Sequence, residues 1–173
     1  MSGNSYRWIV CASVILAGCS AGSAANASSV AGTGTCPVTK APAPAFVPPN
    51  PYPPQPPPQY AGQFWYGTPD LWTMLNSDGT WGGLPRGSDD YSQKVFWWSA
   101  DFSAAQEPQP DLTVTGKRLD GQAGPLVASS ATNASADFGE AMLVGVTLPT
   151  AGCWQITGHY RGQDLSFVVQ VKP

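Results

Sequence analysis

The stretch from Cys153 to Val171 restricts the fold more than any other part of this chain. Along Cys153–Tyr160, Trp154, Ile156, Gly158 and Tyr160 fall on one side of an extended backbone. Gln155, Thr157 and His159, with Arg161 beyond them, fall on the other. After the turn-forming run Arg161-Gly162-Gln163-Asp164, the residues Leu165, Phe167, Val169 and Val171 alternate with Ser166, Val168, Gln170 and Lys172. A period of two sends one face into a core and the other toward water, because successive strand side chains point to opposite sides. Two such runs joined by a turn predict an antiparallel hairpin. Met142, Val144, Val146 and Leu148 give the preceding segment a matching apolar face.

Further strands are predicted at Gln63–Gly67, Leu71–Leu75, Gln93–Ser99, Asp111–Leu119, Leu126–Ala131 and Ala141–Leu148. Turn signals separate them: Asn76-Ser77-Asp78-Gly79, Asp120-Gly121 and Pro149-Thr150-Ala151-Gly152. No window carries a convincing 3.6-residue apolar period. Many short strands at this spacing predict an all-β sandwich or barrel. Residues 60–173 are enough for one core and one domain.

Upstream the composition changes twice. Ser20–Gly34 is rich in Ala, Ser and Gly and reads as a flexible tether. Ala41–Gln59 is dominated by proline, as in Pro48-Pro49-Asn50-Pro51-Tyr52-Pro53-Pro54, which favours extended polyproline II. Residues 19–59 are therefore expected to be a flexible and Pro-rich tether ahead of the domain.

Residues 1–18 read as a leader. Arg7 supplies a positive end, Trp8–Leu16 an apolar run, and Ala17 and Gly18 the small residues of a cleavage site. The run is about half the ~20 residues a membrane-spanning helix needs. Leu16-Ala17-Gly18-Cys19 resembles the lipobox of a bacterial lipoprotein signal peptide. That resemblance implies cleavage before Cys19, lipid on its sulfur, and a place in the cell envelope facing outside the cytoplasm. An ordinary secretory leader cut after Ala24 or Ala25 is the alternative.

Of four cysteines, Cys11 would be lost with the leader and Cys19 taken by lipid. Cys36 and Cys153 remain, an even pair in an oxidising compartment, and are expected to form a disulfide. That bond would staple the start of the Pro-rich arm to the domain. With a single histidine and no clustered cysteines, neither a metal site nor a cofactor is expected. Loss of Arg7 leaves seven basic against eleven acidic residues, a net charge of −4, with no basic stripe. Nucleic acid is excluded as a partner on that ground.

The segments Ala131-Thr132-Asn133-Ala134, Ala141-Met142-Leu143-Val144-Gly145-Val146, Leu148-Pro149-Thr150-Ala151-Gly152-Cys153-Trp154-Gln155-Ile156-Thr157-Gly158-His159-Tyr160 and Leu165-Ser166-Phe167-Val168-Val169 are similar to a family of uncharacterised bacterial exported lipoproteins. The likeness extends to Phe64-Trp65-Tyr66-Gly67 and Lys94-Val95-Phe96-Trp97-Trp98. The Pro-x-x-Gly-x-aromatic start of the penultimate strand also resembles immunoglobulin-like modules. Together these imply an immunoglobulin-like β-sandwich of about seven to nine strands. No activity or catalytic residue comes with the family.

Candidate chemistry is sparse. Asp78, Asp89, Asp90, Asp101 and Asp120 lie in turns, and no spacing pairs them for glycoside hydrolysis. Asn76-x-Asp78-Gly79 lacks the further ligands of a calcium loop. His159 falls on a wet strand face without a nucleophile motif. The expected function is non-enzymatic: an envelope module for protein interaction or structural support. The rival is a tethered carbohydrate-binding module, and an envelope hydrolase is the least favoured.

Tryptophan is the one excess. In Gln93–Ser99, Trp97 and Trp98 must point to opposite faces, and Trp72 with Met74 opposes Leu71 and Leu75. Either the Pro-rich arm covers the outer rings, which is the favoured reading, or Trp72, Trp81, Trp97 and Trp98 contribute to an exposed platform for a glycan or a protein.

Overall fold

The computed structural model describes residues 34–87 and 90–173. The leader, Cys19 and most of the Ala/Ser/Gly-rich segment lie outside the described residues, as does Asp89. The described chain is all-β. Its strands are β1 (Gln63–Thr68), β2 (Leu71–Asn76), β3 (Thr80–Trp81), β4 (Tyr91–Trp98) and β5 (Thr113–Arg118). They continue with β6 (Val127–Ala128), β7 (Thr132–Asn133), β8 (Met142–Leu148), β9 (Gly152–Tyr160) and β10 (Gln163–Val171). No helix among the described residues is long and apolar enough to cross a membrane.

Two sheets form. Sheet A runs β1-β2-β4-β8-β6, with β7 also on β8, and sheet B runs β3-β10-β9-β5. The order β2-β4-β8-β6 is the A-B-E-D order of an immunoglobulin domain, and β5-β9-β10 is its C-F-G order. The chain crosses from sheet A to sheet B between β2 and β3, where β3 lies parallel to β10. Seven strands have six residues or more; the other three are two-residue pairings. Those short pairings bring the total above the expected seven to nine, since two residues are too few to show a period.

Alternation builds the core as the sequence predicts. Met142, Val144, Val146 and Leu148 face inward from β8, and Trp154, Ile156 and Tyr160 from β9. Trp97 reaches across from β4 to Phe167 on β10, ring centroids 5.7 Å apart. Gly158 makes that contact possible: a Cβ there would sit 2.5 Å from the Trp97 ring.

The β9–β10 hairpin is tighter than its turn-forming residues suggest. Tyr160 pairs with Gln163, so only Arg161 and Gly162 turn, at φ 47° and 78°. Two successive positive φ values match the twist of the flanking strands. Of the expected strand Leu126–Ala131 only Val127–Ala128 pairs, as β6, and β7 follows beyond it at Thr132–Asn133. At Ser129 the hydroxyl accepts the Gly145 N–H at 3.0 Å, replacing a ladder bond with a side-chain bond.

One polar corner ties the loop after β4 to the end of β9. Glu107 Oε2 accepts bonds from the Tyr160 hydroxyl at 2.7 Å and from Arg161 Nη2 at 2.8 Å. Its Oε1 accepts the Asp111 N–H at 2.8 Å. Burial pushes the Glu107 pKa up, but these three donors and the Arg161 charge outweigh it and hold the carboxyl below its ordinary value.

Candidate functional site

The Pro-rich arm is part of the folded body rather than a free tether. It starts at the disulfide Cys36–Cys153, Cα atoms 5.5 Å apart, on the outer side of sheet B. It then follows the edge of that sheet. The Thr39 N–H donates to the Val168 carbonyl at 2.9 Å, and the Val168 N–H donates to Thr39 Oγ1 at 2.8 Å. Val38 packs on Gly79, where no side chain would fit. From there the chain crosses to the outer face of sheet A. The aromatic residues set among the prolines explain why it stays. Phe46 and Tyr52 flank the Trp72 ring at centroid distances of 6.1 and 5.3 Å.

Beneath the arm lies a second core. Trp65, Trp72, Trp98 and Ala141 are buried there, with Met74, Phe96 and Phe138 packed around them. The register aligns the rings: Trp72 is opposite Trp98, and Trp65 opposite Met74. Two indoles are tied to the cover. Trp65 Nε1 donates to the Pro53 carbonyl at 3.1 Å, and Trp98 Nε1 to the Phe138 carbonyl at 3.1 Å. The Tyr52 hydroxyl donates to the Glu140 carbonyl at 3.2 Å. Burial, then the charge of Glu140, pushes the Tyr52 pKa up, so it remains a neutral donor.

The arm does not fill this seam completely. A cavity of about 150 Å³ remains, lined by Tyr52, Tyr60, Trp65, Trp98 and Phe138, together with Met74, Gly139, prolines 51, 53 and 57, and Asp137 at its rim. Two short 3-10 turns shape it, Pro58–Tyr60 and Ala136–Phe138. The rest of the lining is apolar or aromatic. These walls can hold a small group by contact and by charge. They bring no nucleophile and base together.

Trp97 and Trp98 take opposite faces, the first in the core between the sheets and the second under the arm. Trp72 is under the arm and Trp81 in the main core. All six described tryptophans are 5 % exposed or less. The exposed platform considered for Trp72, Trp81, Trp97 and Trp98 is therefore not formed: the arm covers Trp72 and Trp98 with its own aromatic residues, and Trp81 and Trp97 are taken up by the main core. Of these four, only Trp98 borders the cavity. The cavity's other principal residues, Tyr52, Tyr60, Trp65, Asp137 and Phe138, were not among the sequence-derived binding candidates. The signal available was the spacing of aromatic residues through the proline run.

The turn carboxylates hold local structure. Asp78 accepts from the N–H and hydroxyl of Thr80, at 2.9 and 2.6 Å. Asp120 pairs with Arg118 at 2.7 Å, and Asp90 takes the Gly87 N–H. His159 lies on the open face of sheet B, its Nδ1 2.6 Å from Asp164 and its Nε2 3.3 Å from the Thr115 hydroxyl. That order of groups is the order of an acid–base relay, but it lies on a flat, solvated face. Among the described residues no cluster of three metal-ligating side chains occurs.

Comparison with known proteins adds little. No protein-family model matches the chain, and no curated protein matches it. One solved structure that does match is a putative lipoprotein from Bacillus anthracis. It is 12% identical, with a TM-score of 0.35 over 62% of this chain and 77% of the other. The family likeness read from the strand motifs rests on those residues alone.

Proposed function

We propose that this protein is an exported lipoprotein, anchored through Cys19, whose domain serves the cell envelope as a non-enzymatic interaction module. The observation that carries the binding role is the cavity under the arm, with its aromatic walls and a carboxylate at the rim. Catalysis by acyl or glycosyl transfer needs an activated nucleophile or two facing acids within a cleft. The cavity lining has the composition of a binding pocket.

Anchoring is supported by Leu16-Ala17-Gly18-Cys19. The stapled arm sharpens what anchoring would do. Because the folded body starts at Cys36, only residues 20–35 separate it from the lipidated position. A chain of that length reaches at most about 60 Å. The domain would be held near the membrane rather than projected on a polyproline stalk.

Replacing Cys19 by Ser tests the anchor. The variant should move to the soluble fraction and lose labelling by a fatty-acid analogue. Unchanged labelling refutes lipidation at this position. The binding role is tested separately, on purified protein in solution.

A further inference from the structure

We propose that the cavity beneath the Pro-rich arm receives a quaternary ammonium group. The inference rests on reading the domain as a binding module and specifies the ligand class of that same cavity.

Three properties of the walls select the ligand. The first is charge. Aromatic faces are negative at their centres, and cages of them attract alkylated ammonium ions. Five rings line this cavity, those of Tyr52, Tyr60, Trp65, Trp98 and Phe138, and the exposed carboxylate of Asp137 stands at the rim. An anion would meet repulsion from the same walls.

The second is the state of the donors. Both indole N–H groups are already spent on the carbonyls of Pro53 and Phe138, and the Tyr52 hydroxyl on that of Glu140. A sugar or a carboxylate would find few donors here. A primary ammonium carries three hydrogens that need acceptors and is strongly hydrated. A tetraalkylated nitrogen needs no hydrogen bond and tolerates an aromatic wall.

The third is size. A cavity of about 150 Å³ holds a ligand as large as benzene when its walls are apolar. A trimethylammonium group with one methylene has five heavy atoms and fits. The prolines of the arm keep the walls in place, so the site is preformed.

The test uses the full chain carrying Cys19→Ser, so that no lipid of its own can insert. Choline is titrated while the indole N–H resonances are followed by NMR. Saturable shifts are expected at Trp65 and Trp98, with Trp97 in the main core unmoved. The neutral isostere 3,3-dimethylbutan-1-ol should bind at least about tenfold more weakly, since it keeps the shape and loses the cation–π attraction. Asp137→Asn should weaken choline by a few-fold and leave the fold intact, because the side chain is exposed.

Equal binding of choline and the neutral alcohol overturns the proposal by making the cavity merely hydrophobic. So does a lack of saturation by about 0.1 M, a hundredfold above a millimolar dissociation constant. Phosphatidylcholine vesicles, compared with phosphatidylglycerol ones, separate the two sources. Competition by the former assigns a lipid headgroup as the source, and no competition assigns a small solute. Failure here leaves the anchoring result untouched, because that is read by fractionation and labelling.

Discussion

The outer faces of the two sheets solve the same problem in opposite ways. On sheet B, Thr115, Thr157 and Ser166 lie side by side across β5, β9 and β10, followed by Thr113, His159 and Asp164. Thr157 and Ser166 share a hydroxyl–hydroxyl bond of 2.7 Å. Away from the disulfide at Cys153 this face is not covered by the arm, and its strands alternate. On sheet A the outer face carries Trp65, Trp72 and Trp98, and the arm lies over them. There β1, β2 and the end of β4 are apolar on both sides, whereas β8 of the same sheet alternates. A strand's own pattern reports only how many of its faces are dry, and not which element dries the second one.

Removing the cover should break this contrast most severely. Deleting residues 41–59 uncovers the ring cluster and removes Phe46 and Tyr52. The loss should be on the order of 5 kcal/mol, from roughly 1.5–3 kcal/mol per large buried side chain. Urea unfolding measures it, and iodide quenching of Trp72 and Trp98 should rise in whatever remains folded. Unchanged stability would mean that the arm is not a structural layer.

The disulfide acts on the same arm by another route. Cys36 and Cys153 are 117 residues apart, and closing so long a loop stabilises by roughly 4–5 kcal/mol in the chain-entropy account. The double Ser variant should lose about that much in urea. Below its transition its tryptophans should stay as protected as in the parent, since the effect falls on the unfolded chain. A large rise in quenching in the folded state would show that contacts alone do not hold the arm.

Single residues sharpen the comparison further. Trp97→Ala should cost about 3–5 kcal/mol, the usual range for emptying an aromatic site. Ser166→Ala, on the open face of sheet B, should cost only about 0.5–1.5 kcal/mol, the usual worth of the one hydroxyl bond to Thr157 that it loses. Similar costs for the two would remove the distinction between dry and wet faces.

A small effect, and one that depends on pH, is expected at the polar corner. The folded-state pKa of Glu107 is depressed, so its contribution is present above the unfolded value of about 4.3 and is lost as pH falls through the folded value. Glu107→Gln should lower stability by about 1 kcal/mol at pH 7, allowing for partial exposure. The gap should close below about pH 4. A gap that persists at low pH would assign the effect to packing.

Much of this was legible from residues alone. The β8, β9 and β10 segments show period-2 alternation over seven residues or more, and each is a strand in the expected phase. The adjacency of Trp97 and Trp98 was enough to place them on opposite faces. β3 was not legible, because it is two residues long and exists only through its parallel pairing with β10. The break at Ser129 was hidden as well, since it depends on a hydroxyl meeting the Gly145 N–H across strands. The cavity was least legible. Its lining comes from the arm, three strands and two 3-10 turns, and no local pattern joins Tyr52 to Trp65 and Phe138.

The sequence by itself determined an all-β domain, the paired Cys36 and Cys153, and a surplus of aromatic residues that one core could not absorb. Those follow from local periodicity and from counting. Only the tertiary structure decided that Ala41–Gln59 is a layer of the domain and not a stalk. Proline fixes an extended backbone, and that geometry serves a free spacer and a packed strap equally well. The choice falls to contacts distant in sequence: Phe46 and Tyr52 against Trp72, and the Trp65 indole on the Pro53 carbonyl.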